Sequence, residues 1–193
     1  MEESEKREAI RCPWVTKDPL YLKYHDEEWG CPVLDNIYLF EMICLEGQQA
    51  GLSWLTILKK RDSYREHFFN FNPHKIVKLT DIEIKNLLTQ SALVRHEAKL
   101  KAIKNNAECY IKMENKGEDF STFIWSFVNN KPLINDWTNL QQVPKETDIS
   151  RALSKALKAR GFKFVGPTIC YAFMEACGLV NNHIKTCFCK SLS

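Results

Sequence analysis

Apolar residues recur along the chain at helical spacing, and glycine, proline and capping residues cut them into successive segments without persuasive strand alternation. The stretch NIYLFEMICLEGQQ, from Asn36, places Leu39, Met42, Ile43, Glu46 and Ala50 on one helical face, with Asp35 as its N-cap. Upstream, Asp18 caps, Pro19 opens and Gly30 ends a predicted helix of about three turns. Downstream, Gly47-Gln48-Gln49-Ala50-Gly51-Leu52 is expected to interrupt the Asn36 helix before Ser53 caps another, which begins at Trp54 and carries Leu55, Ile57 and Leu58. Asn72 and Pro73 open a short helix, Thr80 to Glu83 form a capping box, and Arg95 to Asn115 make a long helix. The long helix bears Arg95, His96, Lys99, Lys101 and Lys104, read as a solvated basic face. Ser121 to Asn129 reads as a short apolar helix, and Asn130 to Glu146, with Pro132 and Pro144, as loop. The expected fold class is all-α.

The most tightly specified stretch is SKALKARGFKFVGPTICYAFMEACG, from Ser154 to Gly178. A helix from about Asp148 to Ala159 stops at Gly161, a residue suited to the left-handed conformation past a helix end. Gly166 and Pro167 open the next helix at once, and Gly178 closes it. Such a hairpin is a turn between two helices; its backbone amides at a helix N-terminus also make it a seat for phosphate, with Lys155, Lys158, Arg160 and Lys163 around it.

Charge adds to this second reading. The net charge of +3 is small for 193 residues, but the first 46 hold five Lys/Arg against eleven Asp/Glu, whereas residues 145–193 hold eight against three. The basic end contains the hairpin. No apolar run approaches the roughly 18 residues of a membrane span, and MEESEKREAIR is too charged for a signal peptide, so a cytoplasmic, intracellular protein is expected. Residues 1–10 read as a charged extension and 11–193 as a single domain. Of the eight cysteines, Cys31, Cys44, Cys109, Cys170 and Cys177 read as small, reduced core residues.

Three features carry candidate chemistry. Tyr21, Tyr24 and His25 share a helical face, an arrangement that packs a core more often than it binds a ligand. Glu46 sits among apolar neighbours, so its carboxylate must be hydrogen-bonded, paired or turned to a cavity. His183 and Cys187 form half of a zinc site that Cys12 and His25 would complete, with Cys189 competing as a ligand.

The set RCPWV, DPLYLKYHDEEWG, LFEMICLEGQQAGLSW, LSKALKARGFKFVG, TICYAFMEACGLVN and His183-x3-Cys187 resembles the bacterial-type 3-methyladenine DNA glycosylase I family over nearly the whole chain. The resemblance implies a helix-hairpin-helix DNA glycosylase fold, the hairpin unit lying at about 148–178, in two helical lobes with a nucleobase pocket between them. It implies one structural zinc held by Cys12, His25, His183 and Cys187, joining the ends of the chain. Glu46 is implied as the carboxylate that meets the damaged base, with Tyr24 and Trp54 around it and Tyr21, Trp14 and Trp29 nearby. Gln49, Gly51 and Leu52 are implied to meet the gap left by a flipped nucleotide, while Gly161, Lys163 and Gly166 seat the DNA backbone.

The implied activity is hydrolysis of the N-glycosidic bond of 3-methyladenine in alkylated double-stranded DNA, by a monomer, without strand cleavage. Many helix-hairpin-helix glycosylases use an aspartate beyond the hairpin; no Asp follows Gly166 here, and this family lacks it. The cationic lesion has an already weakened glycosidic bond and demands less catalytic force. The competing expectation is a non-catalytic, zinc-stapled DNA-binding module, which explains the basic end but leaves Glu46 unexplained.

Overall fold

The computed structural model describes residues 9–191, so that most of the expected charged extension lies outside the described residues. Nine α-helices occur among them: α1 (Pro19–Glu27), α2 (Asn36–Gln49), α3 (Trp54–His67), α4 (Pro73–Ile76), α5 (Asp81–Leu87), α6 (Glu97–Glu114), α7 (Phe120–Ser126), α8 (Asp148–Ala159) and α9 (Pro167–Ala176). The predicted caps form. Asp18 accepts from the Leu20 amide, Asp35 from Tyr38 and Ser53 from Thr56, and Thr80 and Glu83 make a reciprocal capping box.

Helix α2 is the axis of the fold, packed against α3, α6, α7 and α9. Every residue from Leu39 to Gln48 is buried, so the expected single apolar face is corrected to burial all round. The expected interruption at Gly47 is also corrected, since α2 runs on to Gln49 and only Ala50 to Ser53 separate it from α3. Gly47 serves packing: a Cβ there would stand 3.0 Å from the Phe164 Cβ and 3.1 Å from its carbonyl oxygen, so the missing side chain admits the hairpin.

Helix α6 holds the hairpin from the other side. The Asn106 Oδ1 accepts from the Lys163 amide at 2.8 Å, and the Asn105 Nδ2 donates to the Gly161 carbonyl at 2.8 Å. Its expected basic face is corrected at two positions. His96 is the N-cap, and Lys99 is buried, its Nζ donating to the Gln48 and Ala50 carbonyls at 2.8 and 2.6 Å. The expected all-α class needs a small amendment, because Leu133–Ile134 (β1) pairs in parallel with Val180–Asn181 (β2). Strands of two residues are too short to show alternation in sequence.

Candidate base pocket and metal cluster

Helix α1 supplies Tyr21 and Tyr24 to a cavity of about 200 Å³, with Trp14 before the helix and Trp29 after it. The cavity is completed by Glu46 and Gln49 of α2, Trp54 at the start of α3, and Ala172 and Glu175 of α9. The aromatic walls support one another, with the Tyr21 and Tyr24 rings stacked at 6.5 Å and Trp54 tilted against Tyr24 at 5.6 Å. Glu46, Gln49 and Ala172 also line an adjoining cavity of about 220 Å³ that reaches Gly51, Leu52, Thr168 and Ile169. The structure therefore brings together in one cleft the Glu46, aromatic and loop residues singled out in the sequence.

Glu46 is 3 % exposed, and its Oε2 has no hydrogen-bond partner. Of the three alternatives for this residue, the structure has the one in which it faces a cavity. Burial pushes its carboxyl well above the ordinary range, and repulsion from Glu175 adds to the rise. The buried indole N–H groups of Trp14 and Trp54 are also unpartnered. The cavity thus sets the Glu46 carboxyl among aromatic faces, a lining that suits a nitrogen heterocycle.

Glu175 is the site residue that sequence reasoning missed. Its Oε1 accepts from the Asn182 Nδ2 at 2.8 Å, and burial raises its carboxyl to about 7. A signal was present: it is the sole acidic residue after Asp148, set in an apolar helix within the basic end of the chain.

At the hairpin, Gly161 adopts φ 93, the left-handed region expected past α8. Lys163 is exposed, but its amide is taken by Asn106, so this amide is not open to an anion as expected. Helix α9 starts at Gly166 with no side-chain cap, and a Cβ on Gly166 would meet nothing within 4 Å. The open space lies directly over an uncapped helix N-terminus.

Cys12, His25, His183 and Cys187 are all buried, with their ligand atoms within 4.8 Å of one another. The His183 Nδ1 lies 3.5 Å from the Cys12 Sγ and 3.4 Å from the Cys187 Sγ, and the His25 Nε2 lies 3.5 Å from the Cys187 Sγ. A tetrahedral ion with bonds of ~2.3 Å to sulfur and ~2.0 Å to nitrogen separates neighbouring S and N ligands by about 3.5 Å. The remaining ring nitrogens are engaged, His25 Nδ1 with the Asp26 carboxylate at 2.8 Å and His183 Nε2 with the Trp29 carbonyl at 3.0 Å. Cys189 lies 3.9 Å from the His25 Nδ1, on the side of Asp26 and away from the nitrogen that joins the cluster. Two thiols and two imidazoles so arranged fit a metal ion. Burial meanwhile raises the Cys12 thiol to about 12 and lowers His183 to about 4, disfavouring the thiolate and imidazolium.

Comparison with known proteins gives this geometry a family. The methyladenine glycosylase family model matches residues 14–190. DNA-3-methyladenine glycosylase of Haemophilus influenzae is 58 % identical over 183 residues, 95 % of this chain and 99 % of that protein. A crystal structure of 3-methyladenine DNA glycosylase I superposes with a TM-score of 0.92 at 54 % identity, covering 93 % of this chain and 99 % of the other. Another, of a variant of 3-methyladenine DNA glycosylase I in complex with 3-methyladenine, gives 0.88 at 45 % identity over 91 % of this chain and 94 % of the other. With a match spanning nearly its whole length, the chain belongs to the methyladenine glycosylase family.

Proposed function

We propose that this protein excises 3-methyladenine from alkylated double-stranded DNA by hydrolysing its N-glycosidic bond, with Glu46 as the residue that recognises the base. The observation that carries the reading is the buried Glu46 carboxylate, with an unpartnered oxygen, facing an aromatic-walled cavity in a member of this family.

The chain's residues divide the work. The hairpin, through Gly161, Lys163 and Gly166, holds the backbone without reading sequence. Gln49, Gly51 and Leu52 occupy the gap from which the nucleotide is extruded, and Leu52, 41 % exposed at the rim of the adjoining cavity, is placed to enter the base stack. Tyr24 and Trp54 give ring faces to the electron-poor purine, with Tyr21, Trp14 and Trp29 around them. Glu46, neutral when buried alone, ionises against the cationic base and accepts from its amino group. As the bond between the sugar carbon and the base breaks, its electron pair passes into the ring and cancels the positive charge. Water adds to the sugar carbon and loses a proton.

Zinc is the cation that best suits the Cys12, His25, His183 and Cys187 set, and four protein ligands leave it a structural role. The protein acts as an intracellular monomer, every wall of the cleft coming from one chain. Lys163 and Lys185 lie outside the cavity wall and neither is placed as a nucleophile, so abasic sites are left uncut. Incubation with methylated duplex DNA tests the whole reading: free 3-methyladenine with intact strands is expected, and a correctly folded preparation that frees no base would overturn it.

A further inference from the structure

Helix α9 joins the two ends of the cleft. Thr168, Ile169, Ala172 and Glu175 line it at helical spacing, and the eight steps from Pro167 to Glu175 advance about 12 Å along the axis. The same helix thus presents its uncapped start beside the hairpin and a carboxylate in the pocket.

That carboxylate is held by a built network. Asn182 is 1 % exposed and donates from Nδ2 to Glu175 Oε1 at 2.8 Å and to the Tyr171 hydroxyl at 2.8 Å. Its Oδ1 accepts from Asn135 Nδ2 at 2.8 Å and Trp137 Nε1 at 2.7 Å. With donors and acceptor all engaged, the amide has one orientation, and it engages one of the two Glu175 oxygens. Glu46 lines the same cavity, and the two carboxylates repel each other. The groups that face Glu175 are Glu46 from α2, Tyr21 and Tyr24 from α1, and Tyr171 on its own helix. Among the described residues the cavity wall has no lysine, arginine or histidine. Two carboxylates without a protein cation await a cationic ligand.

We propose that Glu175 is a specificity-determining residue, a second pocket carboxylate whose charge, held in place by Asn182, selects positively charged purines over neutral ones of the same shape. The inference rests on the reading of the cleft as a base pocket and extends it. Glu46 meets the amino edge of the base, whereas Glu175 answers its charge. Burial holds Glu175 near the point of half-ionisation around pH 7, so a cationic purine draws it into the charged form and a neutral one does not.

The test uses two purines of nearly the same shape: 3,9-dimethyladeninium, in which methyl groups fix the positive charge, and neutral 9-methyladenine. Quenching of the pocket tryptophans reports the affinity of each. Glu175→Gln keeps an acceptor for Asn182 and removes the charge. It is expected to lose about tenfold in affinity for the cation, equivalent to one unit of differential protonation, and to bind 9-methyladenine like the parent. Glu175→Asp, which restores a carboxylate, is expected to recover most of the preference. The parent's affinity for the cation should fall between pH 8 and pH 6 as both pocket carboxylates take up protons, and this limb should be shallower in Glu175→Gln, where Glu46 remains the pocket carboxylate that titrates. Unchanged discrimination in Glu175→Gln, or equal loss of both ligands, would overturn the proposal. Should that variant fail to fold, a parent affinity for the cation that is flat from pH 6 to pH 8 would do the same. Base release from methylated duplex, run on the same parent preparation, separates the two readings: no free 3-methyladenine overturns the pocket assignment, whereas release with unchanged discrimination overturns only the role of Glu175.

Discussion

Tyr24 and His25 are consecutive on α1 yet serve different places, the Tyr24 ring lining the cavity and the His25 imidazole lying in the Cys/His cluster. The turn of about 100° per residue along a helix divides them. Trp29 ties the two places again, since it lines the cavity, stacks on His25 at 6.2 Å and meets the His183 ring edge-on at 4.6 Å. The Cys/His cluster braces one wall of the pocket. Cys12→Ser and His183→Ala are therefore expected to lose bound zinc, roughly 3–5 kcal/mol of stability and part of the affinity for free 3-methyladenine. Asp26→Asn, which alters the partner of the His25 Nδ1, should weaken zinc binding about 10- to 100-fold. Metal analysis, melting and calorimetry measure these effects; variants that keep zinc and melt like the parent would refute the assignment.

The hairpin prediction separates folding from DNA binding. Gly166 has an ordinary φ of −64, and its surroundings leave room for a side chain, so Gly166→Glu should fold. It should nevertheless lose at least about tenfold in duplex affinity at low salt, because a carboxylate then occupies the seat of a phosphate. Filter binding over a salt series measures this, and unchanged affinity would move the contact elsewhere.

Lys99 tests the loop between α2 and α3. Its ammonium caps the C-terminal carbonyls of α2 through Gln48 and Ala50, immediately before Gly51 and Leu52. Lys99→Met should lower stability by roughly 1–3 kcal/mol and slow excision from duplex DNA, while free 3-methyladenine binds nearly as well as before. An equal loss of free-base affinity would place Lys99 in the pocket's own support.

A stability prediction follows from Glu175. Its folded pKa, raised to about 7, lies above that of an unfolded glutamate, so the folded state binds the proton more tightly. Stability from this group is full below the unfolded value and falls as pH rises through about 7. Glu175→Gln should therefore gain on the parent by up to a few kcal/mol at pH 8 and little at pH 5. Chemical unfolding at the two pH values measures the difference, which a pH-independent offset would contradict.

Most of the helical frame was legible because its boundaries are written in local chemistry. Asp18, Asp35, Ser53, Asn72 and Thr80 cap where expected, and Gly161 and Gly178 take the positive φ expected at helix ends. Gly178 has a second reason, since a Cβ there would lie 2.3 Å from the Cys31 carbonyl carbon. What stayed hidden depends on contacts between distant segments. Lys99 looks solvated until α2 presents its carbonyls, Gly47 looks like a helix breaker until Phe164 packs on it, and Glu175 gains its meaning from Asn182 and Glu46. The Cys/His cluster was visible as two halves, but their meeting is a property of the folded chain.

The central claim is that Glu46 recognises the base this protein frees. The most direct measurement is single-turnover release of 3-methyladenine from methylated duplex DNA by the parent and by Glu46→Gln, scored against the affinity of each for 3,9-dimethyladeninium, which keeps the positive charge that the freed base loses. Glu46→Gln keeps the shape and one acceptor but loses the charge. The account predicts that the parent frees the base and that the variant weakens in both respects together, by ~1–3 kcal/mol, the range of a charge-assisted hydrogen bond, with duplex affinity unchanged. A Glu46→Gln protein that binds 3,9-dimethyladeninium like the parent while excision collapses would contradict it, placing the residue on the bond-breaking step.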